Sequence, residues 1–324
     1  MNKVFFILIL ALILLDQSVY SQSYVVKDAV KKFPVSYATI SFGNGTGLFA
    51  DENGIFQFSE KWYRDIDSLY ISAIGYKEKT ISIKNASKTI LLTPDVSELQ
   101  EVVIKSENLG KYKTRKKNSV VHDNYFRCWL PTVESEIAVF FPRDPLKSTK
   151  ITSVFLPVKM ESSDGSSSGK KQFFSTLFKM QFYENEQGFP GKRLAGDNII
   201  FKITNSDKTN FELDISEYKM FIPKNGVFVS VQVLGYTNKE GKLQNTKKYH
   251  EVETSKGSVK ISTTFRPLLP FTNKIKDNIT FTRRVFFRNR TWQRFDKKYS
   301  TNNSLIQKGF MNYGMGLKMH VYEK

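Results

Sequence analysis

Residues able to do chemistry are few in this chain, and their spacing decides what they could do. His250-Glu251-Val252-Glu253 matches His-x-x-Glu, a spacing used by zinc peptidases. A catalytic zinc needs three protein ligands, an open position and supporting groups behind them. With three histidines in all, the third ligand would have to be His122 or His320. The surrounding Tyr-His-Glu-Val-Glu-Thr run lies between lysine-rich turns and reads as an exposed strand end, so no metal is assigned there. Asp51-Glu52-Asn53-Gly54 is a second acidic group. A calcium loop needs six to eight oxygens at spaced positions, often closed by a bidentate Glu. Here the acids are adjacent and Glu60 stands apart, whereas Asp or Asn before Gly is turn chemistry. A corner in a sheet is expected. Asp207, Asp214 and Glu217 could in principle supply a carboxylate pair, but Asp214-Ile215-Ser216 ahead of Tyr218 reads as a strand running into a turn. The single cysteine, Cys128, has only His122 as a local base and nothing that ties the two together. It is read as a small buried hydrophobe.

The segment Thr282–Phe295, TRRVFFRNRTWQRF, interleaves arginine with aromatic residues. Such a mixture can hold phosphates and stack bases. It can equally form an outer strand with one cationic and one aromatic face, which is the expectation here in the absence of any nucleic-acid fold. Within it Arg288, Arg290, Trp292 and Arg294 could together bind an acidic sugar or a lipid phosphate, and these four are the predicted ligand-binding residues. No Gly-x-Ser-x-Gly, phosphate loop or Cys-x-x-Cys appears. No catalytic residue, metal ligand or cofactor site is predicted.

The chain has 324 residues and a net charge of +18. Lys3 precedes an apolar run from Val4 to Leu15, followed by small residues before Gln22. This order is that of a secretory signal peptide over 1–21, too short to span a bilayer as a helix. No later segment is apolar for long enough to cross. A basic exported protein is drawn to anionic surfaces. One cysteine excludes an internal disulfide framework and supplies no lipid-attachment site near the leader.

The elements that must position any site are strands. Period-two alternation recurs, broken by Gly, Pro, Asn and Asp every ten or so residues. In residues 22–105, Ala38–Phe42, the Phe56/Phe58 pair, the Leu69/Ile71 pair, Ile81 with Ile83, Ile90–Leu92 and Val102–Ile104 give a small Ig-like sandwich. Residues 106–119 are rich in Lys and Arg and read as a solvated linker. Residues 120–324 contain Ile151–Val158, Phe178–Phe182, Val227–Val233, Phe281–Phe287 and Leu317–Val321 as strands. Lys179 and Gln181, like Ser230 and Gln232, alternate with apolar neighbours and take the opposite side. A mobile Ser/Gly-rich loop at 161–171 and a turn at Glu186–Leu194 complete a larger, jelly-roll-type β-sandwich. The expected fold is therefore all-β.

Phe33-Pro34-Val35, Tyr37–Ile40, Asp51–Phe56, Leu69–Tyr76, Leu92-Thr93-Pro94 and Leu99–Val103 follow one another in an order and spacing that resembles the carboxypeptidase regulatory-like domain. That transthyretin-like sandwich is found at the N-terminus of many TonB-dependent outer-membrane receptors and other Gram-negative envelope proteins. Ala50 stands where the family pattern has Thr. The domain resembled is the accessory sandwich of carboxypeptidases and not their catalytic domain, and the plug and barrel of a receptor do not follow.

These readings imply a non-catalytic, exported binding or assembly protein of the cell envelope, periplasmic, outer-membrane-associated or secreted. Its expected partner is an envelope protein or an acidic glycan, with no nucleic acid. A carbohydrate-binding protein or accessory to a glycan hydrolase is the alternative, and a zinc hydrolase the second.

Overall fold

The computed structural model describes residues 22–59, 63, 65–95, 110–160, 173–194, 198–244, 248–255, 257–298 and 303–323. The expected leader, the strand at 102–104 and the loop at 161–171 lie outside them. The regular structure of the described residues is almost entirely strand, with three 3-10 turns and one short α-helix, Ser304–Gln307.

The first domain packs a three-stranded sheet, Ile55–Phe58, Gln22–Asp28 and Thr89–Leu92, against a four-stranded one, Gly47–Phe49, Thr39–Ser41, Ser68–Ser72 and Lys79–Ser82. Gln22–Asp28 runs parallel to Thr89–Leu92, and the other pairings are antiparallel. Alternation sends Phe56, Phe58, Leu69, Ile71, Ile90 and Leu92 into one core. The acidic corner is a capped turn. One carboxylate oxygen of Asp51 accepts from the backbone N–H of Asn53 at 2.9 Å and of Ile55 at 2.8 Å. Gly54 follows at φ +70°, where its absent side chain leaves room for the Val26 carbonyl.

The second domain is a sandwich. A seven-stranded sheet runs Phe189–Arg193, Ser175–Glu186, Val227–Tyr236, Ser135–Phe141, Thr280–Arg284 and Gln293–Arg294, with Ile199–Thr204 also paired to Ser175–Glu186. The facing sheet is Asn210–Asp214, Thr149–Pro157, Gly316–Tyr322 and Tyr112–Lys117. Val139, Met180, Phe182, Val229 and Val231 from the first of these meet Val154, Leu156 and Leu317 from the second in a shared core.

Three sequence expectations change. Residues 112–117, read as linker, are a strand paired along its length with the C-terminal strand: Arg115 lies opposite Met319 and Lys117 opposite Leu317. The basic side chains are accommodated by aromatic faces, Lys116 over Phe155 at 4.2 Å and Lys117 over Phe141 at 4.9 Å, so a run of cations does not require a solvated coil. The strand expected at Phe281–Phe287 ends at Arg284, and Phe286 and Phe287 leave the sheet for the first domain. Glu186–Leu194, read as a turn, is mostly a hairpin: the chain reverses at Gln187-Gly188, both at positive φ, and Phe189–Arg193 returns along Ser175–Glu186.

Candidate functional site

The two domains are held together by the segment after Arg284. Phe286 is fully buried with its ring 5.2 Å from that of Phe49. Its backbone carbonyl accepts from the Ser41 hydroxyl at 2.5 Å. Phe287 forms bridges to Gly43 and Asn44, Arg288 lies over the Tyr70 ring at 5.1 Å, and Arg290 donates to Ser72 Oγ at 3.0 Å and to Glu78 at 2.7 Å. From elsewhere in the second domain, the hydroxyl of Tyr249 both donates to the Gly47 carbonyl and accepts from the Gly47 N–H. The glycines of this edge are needed for close approach, since a Cβ at Gly47 would stand 2.5 Å from the Phe286 ring.

Docking buries what would otherwise be the outer face of the seven-stranded sheet. Register places Lys179 opposite Gln232, Gln232 opposite Glu136, and Glu136 opposite Arg283, a polar row across four strands. The row is deeply buried: Glu136 is 1 %, Gln232 2 % and Lys179 7 % exposed. Buried charges require partners, and Glu136 has several. Arg283 donates to one of its oxygens from Nε at 2.8 Å and from a terminal nitrogen at 2.7 Å. Ser230 at 2.6 Å and Tyr183 at 2.8 Å donate to the other. Burial acts to raise the Glu136 pKa, but Arg283, Lys179 and these hydroxyls outweigh it and hold the carboxyl below its ordinary value.

Lys179 is less well provided. Its ammonium lies 5.2 Å from the centroid of the Phe49 ring. Burial lowers its pKa to about 7; Glu136 opposes that shift, and Arg193, Arg283 and Arg290 reinforce it. Among the described residues neither Lys179 nor Arg193 forms an ion pair.

Between this row and the first domain is a cavity of about 330 Å³. Its inner wall is the row itself with Gln181, Arg193 and Asn198; its outer wall is Ser72, Tyr76, Glu78 and Asp95 of the first domain together with Arg290. Three donors on lining side chains, Nε2 of Gln232, Nε of Arg193 and Nε of Arg290, are buried without an acceptor among the described residues. Such groups are rare in folded proteins, and each unsatisfied one costs about 1–3 kcal/mol. Donors placed in this way are complementary to an acceptor-rich ligand.

The four predicted ligand residues do not converge. Arg290 lines the cavity. Trp292 is not among its lining residues: it sits edge-on to Tyr183 at 5.4 Å, with the Arg283 guanidinium 4.5 Å over its face. Arg288 is exposed on Tyr70, and Arg294 lies over Phe281 at 5.3 Å. Lys179, Gln181, Glu136, Gln232, Arg193 and Arg283 were not predicted as site residues.

The other candidates have local roles. His250 and Glu253 lie three apart on strand Tyr249–Thr254, so their side chains leave opposite faces and cannot share one ion there. His250 bonds Thr263 at 3.0 Å, His122 donates to the Phe271 carbonyl at 2.7 Å, and His320 stacks on Tyr112. Among the described residues no three His, Cys, Asp or Glu side chains are grouped to hold a metal. Asp214 caps the Ser216 N–H and Asp207 the Thr204 N–H and hydroxyl, each securing a turn. Cys128 is buried and donates to the Asn124 carbonyl.

Fold and site together define a two-domain all-β protein with a charged cavity where its sandwiches meet. Residues 25–104 match the family model of the CarboxypepD_reg-like domain, about a quarter of the chain and the whole of the first sandwich's described strands beyond Tyr24. No curated protein and no solved structure matches the chain.

Proposed function

We propose that this is a non-catalytic, exported binding protein of the cell envelope, and that the interdomain cavity is where it holds an anionic ligand. The observation that carries the reading is the set of buried donors on Gln232, Arg193 and Arg290 without acceptors among the described residues, beside a lysine whose charge is disfavoured by burial. A protein folds such groups inward at a cost, and a ligand that supplies oxygens recovers it. The fused first domain supports an assembly role as well, because a ligand seated between the sandwiches touches both. Export rests on the residue pattern of 1–21, and the envelope context on the resemblance of the first domain.

The test is calorimetric titration of the purified full chain with small acids and their neutral counterparts. Saturable binding of at least one acid, lost in Arg193→Gln, is expected. An absence of binding across carboxylates, sulfate and phosphate would remove the reading.

A further inference from the structure

We infer that the cavity takes a sugar acid: a single carboxylate held by Lys179, Arg193 and Gln232 on the inner wall, with ring hydroxyls held by Ser72 and Glu78 on the outer wall. The inference rests on the cavity being a ligand site and names what fits it.

The charge balance, two cations in excess of carboxylates, points to an anion, and the donors on the inner wall suit a carboxylate. Five cationic side chains and three carboxylates line the cavity. Arg283 is committed to Glu136 and Arg290 to Glu78, which leaves Lys179 and Arg193 on the inner wall without ion pairs among the described residues. A planar carboxylate has two oxygens and about four lone-pair positions, enough for an ammonium, a guanidinium N–H and an amide N–H together. All three donors sit on neighbouring strands of one sheet, with Lys179 and Gln232 directly opposed. Strands hold their side chains on a fixed grid, so the anion position is built and not improvised.

The outer wall selects against a denser anion. Glu78, at the rim, is an acceptor that welcomes sugar hydroxyls and repels a dianionic phosphate. The Ser72 hydroxyl, which accepts from Arg290, keeps its proton to donate, while the Tyr76 hydroxyl donates to Asp28 at 2.9 Å and offers the ligand an acceptor. Exposed Lys77 and Glu78 mark the cavity's rim. A volume of about 330 Å³ lies at the small end of ligand sites. It accommodates one or two sugar rings, so the partner would be the acidic end of a glycan and not its middle.

Anion and proton are coupled. Lys179 is faced by Glu136 and by Arg193, Arg283 and Arg290, and a bound carboxylate would favour its charged form. Binding should therefore take up protons near neutral pH and tighten as pH falls from 9 to 6, while the uronate itself stays ionised.

The experiment titrates the full chain with galacturonate, glucuronate and digalacturonate, and separately with galactose, inorganic phosphate, sulfate and glutamate. A uronate bound at least tenfold tighter than galactose, phosphate, sulfate and glutamate is the expected result. Lys179→Met and Arg193→Gln should each weaken it at least tenfold, and Lys179→Met should abolish the pH dependence. Phosphate, sulfate or glutamate binding as tightly as the uronate, with the same loss in Arg193→Gln, would overturn the sugar-acid inference and leave the anion site standing. Binding of nothing in the panel would overturn both. The wild-type ligand ranking decides the question even if a variant fails to fold.

Discussion

Lys179 and Gln232 face each other across two antiparallel strands in the middle of a sheet, and both are buried. The apolar side chains next to them in sequence, Phe178 and Met180, Val231 and Val233, fill the sandwich core on the sheet's other face. A central sheet of this protein is therefore buried on both sides, apolar toward its own sandwich and polar toward the neighbouring domain. The stability of the fold and the chemistry of the cavity meet in this polar row.

The first consequence concerns pH. A lysine has an ordinary pKa near 10.5, and burial lowers that of Lys179 to about 7 in the folded protein. Between these values the unfolded chain binds a proton that the folded one does not, so stability falls as pH drops from about 10.5 to 7 and levels off below. One such group contributes up to about 1.4 kcal/mol per pH unit. Lys179→Met should remove this slope. Urea unfolding of both proteins at pH 7, 8 and 9 should show the variant's advantage growing as pH falls. Parallel curves would show that Lys179 is charged and solvated in the fold.

The Glu136–Arg283 pair should behave as a buried ion pair in which each partner depends on the other. Arg283→Met leaves a carboxylate 1 % exposed with only the two hydroxyls, and such a break costs about 3–5 kcal/mol. Glu136→Gln should cost a similar amount. Combined as Glu136→Gln with Arg283→Met, the loss should be well below the sum, since no charge is stranded. A double-mutant cycle by chemical denaturation measures this, and strict additivity would mean that the two groups do not interact.

The domain junction depends on Gly47 and Tyr249. Gly47→Ala would place a methyl 2.4 Å from the Ile40 carbonyl and 2.5 Å from the Phe286 ring. Overpacking of this kind costs about 1–3 kcal/mol. Tyr249→Phe keeps the ring but strips the hydroxyl that serves both backbone groups of Gly47, leaving buried groups unsatisfied at roughly 1–3 kcal/mol. Both should lower the melting temperature and expose the 285–290 segment to limited proteolysis. Unchanged protease resistance in both variants would show that the domains do not rely on this junction.

Much of this was legible in the residues and some was not. Local rules found the first sandwich, because Phe56 and Phe58 or Leu69 and Ile71 alternate cleanly, and they found the Asp51 turn, where Asp caps and Gly takes positive φ. The same rules assigned Lys179, Gln181, Ser230 and Gln232 to the side opposite the core. The structure places them there, but covers that side with the first domain, whose position no local pattern records. The signal available was Glu136, an acid on one strand with the Ile-Ala-Val-Phe-Phe run that directly follows it. Arg288, Arg290, Trp292 and Arg294 were grouped because they are close in sequence, yet the backbone leaves its strand at Arg284 and spreads them over different surfaces. The basic run at 112–117 misled because its apolar partners, Phe141 and Phe155, lie elsewhere in the chain.

That dispersal of the arginines gives the sharpest comparison. Arg288 is exposed and packs one face on Tyr70, so Arg288→Ala should change stability by no more than about 0.5 kcal/mol and leave ligand binding untouched. Arg290 crosses the junction to Ser72 and Glu78 and lines the cavity. Its ion pair is partly shielded, so Arg290→Ala should cost roughly 1–2 kcal/mol. It should also weaken any anion held between the domains, because Glu78 would then confront the ligand without its counter-charge. Thermal melts and titrations of the two single variants side by side make the measurement. Equal effects of Arg288→Ala and Arg290→Ala on affinity would mean that the cationic surface as a whole attracts the ligand and that the cavity is not where it binds.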